Sequence, residues 1–104
     1  MNPPYPYDVI IKRAIENQSP FAEGDGYKII YNGKCDYESP YVHYTHKGVQ
    51  VDKYNMYIKN NRVPVRKRDL IELTLLNGEI VNGVITDYVP TNLGLTIVWE
   101  VVNN

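Results

Sequence analysis

Two Asn-Gly dipeptides, each set between short runs of Val, Ile, Leu and Tyr, constrain this chain more than any other feature. Asn32-Gly33 separates Tyr27–Tyr31 from Lys34–Glu38, and Asn77-Gly78 separates Leu70–Leu76 from Glu79–Tyr88. Both central residues of a two-residue type I′ turn need positive φ, which Gly adopts freely and Asn tolerates, so each dipeptide predicts a β-hairpin.

Other segments extend the pattern. Asp8–Ala14 reads DVIIKRA, with Val9, Ile11 and Arg13 on one parity and Ile10 and Lys12 on the other. A short helix fits the same apolar spacing, but β-branched residues dominate and no N-cap precedes them, so strand is preferred. Asn17–Gly26, with Pro20, Gly24 and Gly26, reads as a loop. Ser39-Pro40 ends the first hairpin, because proline removes a ladder donor and restricts its predecessor. Tyr41–Lys47 reads as an excursion between strands, and 39–48 as a long projecting loop.

Val49–Ile58 resumes alternation, with a slip near Asp52-Lys53 that suggests a bulge. Asn82-Gly83 marks a bulge or sharp bend inside the strand after Asn77-Gly78, and Pro90-Thr91-Asn92 breaks the chain again. In Leu93–Val102, the residues Leu93, Leu95, Ile97, Trp99 and Val101 share one face. The expected core includes Ile29, Tyr31, Cys35, Leu73, Ile85, Ile97 and Trp99. Short strands in hairpin connection, without a long helix, predict an all-β domain. A small antiparallel β-barrel or sandwich protects edges that a lone sheet leaves bare, and a barrel is preferred.

The 104 residues suit a single domain. A net charge of -1 excludes a protein that holds nucleic acid by bulk electrostatics. No apolar run approaches the ~18 residues that span a bilayer, and Met1–Pro6 resembles no secretory leader, so a soluble, unexported protein is expected. Three prolines in the first six residues predict an extended arm over 1–7. The single cysteine fits a reducing compartment.

Chemistry-bearing patterns are sparse. His43 and His46 form an H-x-x-H pair with Cys35 and Asp36 upstream, but positions three apart in a strand face opposite sides and no second ligand pair follows. Cys35 lacks a Gly-rich elbow or a following helix, so a buried thiol is expected rather than a nucleophile. Gly24-Asp25-Gly26 has no Lys-Ser/Thr behind it and is no phosphate loop. No catalytic residue, metal site or cofactor is expected, and the protein reads as a contact protein rather than an enzyme.

Ten of the 104 residues are Tyr, against one Phe and one Trp. Tyr supplies large, stiff contact area and is enriched both in strands and at interfaces. The side chains assigned to partner contact are Tyr5, Tyr7, Tyr41, His43, Tyr44 and His46, together with Arg66, Lys67 and Arg68. The last three, with Arg62 and Lys59, form the basic cluster of the chain. Beside Tyr54 and Tyr57 they would suit an alternative role, a single-stranded nucleic-acid-binding module of OB or SH3-like type.

Taken in order, Tyr31-Asn32-Gly33-Lys34-Cys35-Asp36-Tyr37-Glu38-Ser39, Tyr54-Asn55-Met56-Tyr57-Ile58, Val65-Arg66-Lys67-Arg68-Asp69-Leu70-Ile71-Glu72-Leu73, Gly83-Val84-Ile85-Thr86-Asp87-Tyr88 and Leu95-Thr96-Ile97-Val98-Trp99 form a recognisable series. It resembles the small head-closure proteins of tailed bacteriophages, also called head-tail connector, stopper or minor capsid proteins. Tyr5-Pro6-Tyr7-Asp8-Val9-Ile10-Ile11 resembles that family's opening strand, and the likeness runs from about Asp8 to Trp99. The resemblance implies a β-barrel virion subunit, assembled in the host bacterial cytoplasm. It implies a homo-oligomeric ring between the portal or adaptor and the tail terminator, away from any membrane. A loop at the place of Pro40–Gly48 would then approach packaged DNA.

Overall fold

A computed structural model describes residues 6–15, 26–44 and 50–102, and for 39–44 and 50–52 the backbone alone. Six strands follow in order: β1 (Tyr7–Ala14), β2 (Tyr27–Tyr44), β3 (Gln50–Ile58), β4 (Leu70–Thr74), β5 (Ile80–Thr91) and β6 (Gly94–Val101). They close as an antiparallel barrel in the order β1-β2-β3-β6-β5-β4, with β4 returning to β1. The all-β barrel is the predicted fold.

The alternation read in β1 is real. Val9 and Ile11 point into the barrel with 1% and 0% exposure. Cys35, Met56, Ile58, Ile71, Leu73, Ile85, Leu95, Ile97 and Trp99 join them in one core. Tyr7, Tyr37 and Tyr54 pack against that core near one mouth, where the Tyr7 and Tyr37 rings meet edge to face at 4.7 Å and Tyr54 lies 4.8 Å from Trp99. At the opposite mouth the long β3–β4 connection turns in, with Val65 buried and Val63 against the core. Part of the tyrosine excess is therefore an aromatic plug.

Several expectations are overturned. Asn32-Gly33 is no turn: β2 runs straight through it, pairing Asn32 with Ile10 and Gly33 with Val9. The Tyr31 ring lies over Gly33 and its hydroxyl donates to the Lys34 carbonyl at 2.7 Å, so the glycine makes room for a ring. A partner strand along the whole segment outweighs the local turn preference. Ile29 is 59% exposed rather than core. Ile30 is an extra residue between the Ile11–Tyr31 and Lys12–Ile29 pairs, and this bulge turns Ile29 to the outer face with Lys12. Tyr31 is half-buried.

Ser39-Pro40 does not end β2. The extra residue sits in β2 between the Glu38–Asn55 and Tyr41–Lys53 pairs, opposite where the sequence suggested a slip in β3. A bulge is where a strand tolerates proline. Residues 41–44 are thus strand, paired with 50–53, and only 45–48 of the expected 39–48 loop lies outside the described residues. Pro90 likewise remains in β5, paired with Leu95, past the point where β4 has ended. Leu93 is 89% exposed because it belongs with Asn92 to the β5–β6 turn and is not the first residue of β6.

Asn77-Gly78 does form a hairpin turn, though not of type I′. Gly78 alone has positive φ (86°), and its N–H donates to the Leu75 carbonyl at 2.9 Å. That is a type I turn followed by a left-handed glycine. Gly83 pairs regularly with Ile71 and Val101, and the bulge in β5 falls at Thr86 instead. What Gly83 provides is space, since a Cβ there would strike the Trp99 ring.

Candidate functional site

Two surface features stand out among the described residues: the β3–β4 connection that carries the basic cluster, and the far half of the β2–β3 ribbon.

The basic connection is built around Asp69, a buried carboxylate of 2% exposure. Arg13, on the inward parity of β1, grips it with two bonds, Nε to Oδ1 at 2.8 Å and Nη2 to Oδ2 at 2.9 Å. The same Nη2 donates to the Pro64 carbonyl at 2.8 Å, and the Arg66 N–H donates to Asp69 Oδ2 at 2.8 Å. The hydrogen bonds to Asp69 raise the Arg13 pKa above its ordinary value. Nothing in the sequence marked this pair, because Arg13 and Asp69 stand 56 positions apart. The one available hint was Arg13 on the apolar parity of β1.

Around this anchor, Arg66–Asp69 is a tight turn. The Asp69 N–H donates to the Arg66 carbonyl at 3.2 Å, and Arg68 has φ 78°, as the third position of a type II turn requires. The Arg68 N–H and Ile85 carbonyl, with the Ile85 N–H and Asp69 carbonyl, tie the turn to β5 at 2.8 and 2.9 Å. Arg68 is the only non-glycine residue with positive φ among those described. Strain of that kind costs on the order of 1 kcal/mol. Replacing Arg68 with Gly should therefore raise stability by about 1 kcal/mol and the melting temperature by about 5 °C. Calorimetry checks it; an unchanged or lower midpoint contradicts the strain.

Arg66, Lys67 and Arg68 are exposed and line a shallow cleft with Arg13 and Ala14. Tyr54 and Tyr57 do not join them as a stacking platform. Tyr54 is half-buried beside Trp99. Tyr57 is half-buried, with its pKa raised by burial first and then by a hydrogen bond to Glu38.

The ribbon arises because the neighbouring strands stop early. β1 reaches β2 only as far as Cys35, and β6 reaches β3 only as far as Lys53. Beyond those points residues 41–44 and 50–52 pair with each other alone among the described residues. Tyr41, His43 and Tyr44 lie on this ribbon; their side chains, and Tyr5 and His46, lie outside the described residues. Tyr7 belongs to β1 and to the core rim rather than to an arm.

No group of three His, Cys, Asp or Glu side chains is placed to hold a metal among the described residues. Cys35 is fully buried, and burial is the main cause that pushes its thiol up to about 12 from an ordinary 9.0. Between those values the folded chain retains a proton that the unfolded chain has lost, so stability is full below about 9 and declines as pH rises toward about 12. Burial raises Tyr31 and Tyr37 in the same direction. Urea unfolding at rising alkaline pH should show a shallower decline for Cys35→Ala than for the parent. Equal slopes would remove the buried thiol as a cause.

No helix of the described residues is long and apolar enough to cross a membrane. Comparison of the chain with family models, with curated proteins and with solved structures gives no match.

Proposed function

We propose that this protein is a non-catalytic structural subunit of a tailed-bacteriophage particle, joining head to tail as one copy in a ring between portal or adaptor and tail terminator. The observation that carries the reading is the ribbon. Two strands leave the barrel with their outer edges unpaired among the described residues, and such edges invite strand addition by a neighbour. A second open edge supports it: β5 beyond Ile85 has β6 as its only ladder partner among the described residues, with Asn61 Nδ2 donating to the Thr91 carbonyl at its end. Two different uncovered edges on one barrel suit a heterologous, head-to-tail contact, the kind that closes into rings. The order of sequence motifs noted above supplies the viral setting.

The decisive experiment is immunogold labelling of particles from the bacterium that carries the gene. Label at the junction of head and tail is expected. Particles that lack the protein altogether would refute the proposal.

A further inference from the structure

We infer that the Arg62–Arg68 connection is a binding site for the phosphodiester backbone of duplex DNA, on the barrel mouth opposite the ribbon. Strand directions fix that placement. β3 ends at Ile58 and β4 begins at Leu70 on the mouth where β1 ends, whereas β2 runs out to Tyr44 at the mouth where β1 begins.

Three observations carry the inference. First, Arg62, Arg66, Lys67 and Arg68 are exposed and have no ion-pair partner among the described residues, whereas Lys12, Arg13 and Lys34 are held by Glu72, Asp69 and Asp8. Second, the turn that presents three of them is preorganised. A buried carboxylate, a bidentate guanidinium and two bonds to β5 fix its backbone, and Arg68 is held in a conformation that a side chain ordinarily avoids. Cations fixed before encounter lose less freedom on binding. Third, the surroundings select phosphate over other anions and over bases. Several carboxylates at the other mouth already have partners: Asp8 holds Lys34, Asp36 accepts the Tyr37 N–H, and Glu38 bonds Tyr57. Those partners compete for the same oxygens with the cations of a second copy of the chain. Among the described residues no aromatic ring lines the cleft beside Arg66–Arg68, and exposed Tyr27, which pairs with Ala14 at its edge, has the Lys12 ammonium 4.7 Å from its ring centre. Guanidinium forks suit phosphate oxygens, and duplex DNA carries the densest array of them.

The near-zero net charge conceals this site, because it averages an unpaired basic turn with acids elsewhere. The inference stands on the turn alone and needs no ring, so a monomer would bind as well. Its failure is distinct from failure of particle labelling.

The test is fluorescence anisotropy of the full chain with a labelled duplex of random sequence across a salt series. The parent should bind at low salt, with log K falling linearly against log salt. Arg66→Ala combined with Lys67→Ala should weaken binding by about tenfold or more and reduce the slope by about 2. Arg68→Gly, which favours the turn while removing one charge, should reduce the slope by about 1. Lys28→Ala with Lys53→Ala should leave it unchanged. The inference is overturned if the parent ignores duplex at low salt, if the Arg66/Lys67 variant keeps the parent slope, or if single strands bind more tightly than duplex. It is equally overturned if the variant alters self-association alone, which would assign the turn to a protein contact.

Discussion

Trp99→Ala should lower the free energy of unfolding by about 4 kcal/mol, a large share of what a domain of this size possesses. Trp99 is fully buried, packs on Tyr54, and lies over Gly83, which pairs with Ile71 on one side and Val101 on the other. The indole thus fills the barrel interior where β4, β5 and β6 are adjacent. Its Nε1 has no hydrogen-bond partner among the described residues, so truncation also removes an unsatisfied donor and recovers part of the cavity cost. The same geometry makes Gly83→Ala harmful in the parent, since the added Cβ would meet the ring and approach the Glu100 carbonyl at 2.7 Å. A cycle combining Gly83→Ala with Trp99→Ala separates the two contacts. The glycine substitution should cost less where the ring is gone, and strict additivity in denaturant unfolding would show that the ring does not set the requirement for glycine.

Asp69→Ala should cost about 3 kcal/mol and loosen the basic turn. It removes the acceptor of three hydrogen bonds and leaves the Arg13 guanidinium beside the barrel wall without its counter-charge. Arg13 keeps 23% exposure, so water compensates in part and the cost falls at the lower end for breaking a buried pair. Replacing both partners, with Arg13→Met and Asp69→Leu, should be less damaging than Asp69→Ala alone, because no buried charge is then stranded. Denaturant midpoints of the two variants check this; the reverse order would mean that the pair contributes chiefly through the shape of the turn.

The barrel itself was readable from the chain because alternation in β1, β4 and β6 is strict and each strand has one buried face. The two identical dipeptides show where such reading stops. Asn77-Gly78 joins strands that pair with each other, so local preference and tertiary pairing agree. Asn32-Gly33 faces β1 across an unbroken ladder, and whether a partner strand exists is not a local property. Prolines misled for a related reason: Pro40 and Pro90 lie where pairing is irregular or one-sided, and there a missing N–H costs little. Ile29 shares its strand parity with Tyr31 and Cys35 in sequence, and one extra residue at Ile30 turns it to the outer face. Of the candidate site, the cations were visible as a run. The Arg13–Asp69 grip that shapes them was not, since it depends on how distant strands meet.

The strand order has a consequence for synthesis. Both β3 and β5 pair with β6, which follows them in the chain, so neither can complete its ladder until Gly94–Val101 has emerged. At translation speeds of roughly 5–20 residues per second, the nascent chain spends seconds as an open sheet with two adhesive borders. A nonsense mutation before Gly94 would make that transient condition permanent, and the product should accumulate as insoluble material rather than as a smaller soluble protein.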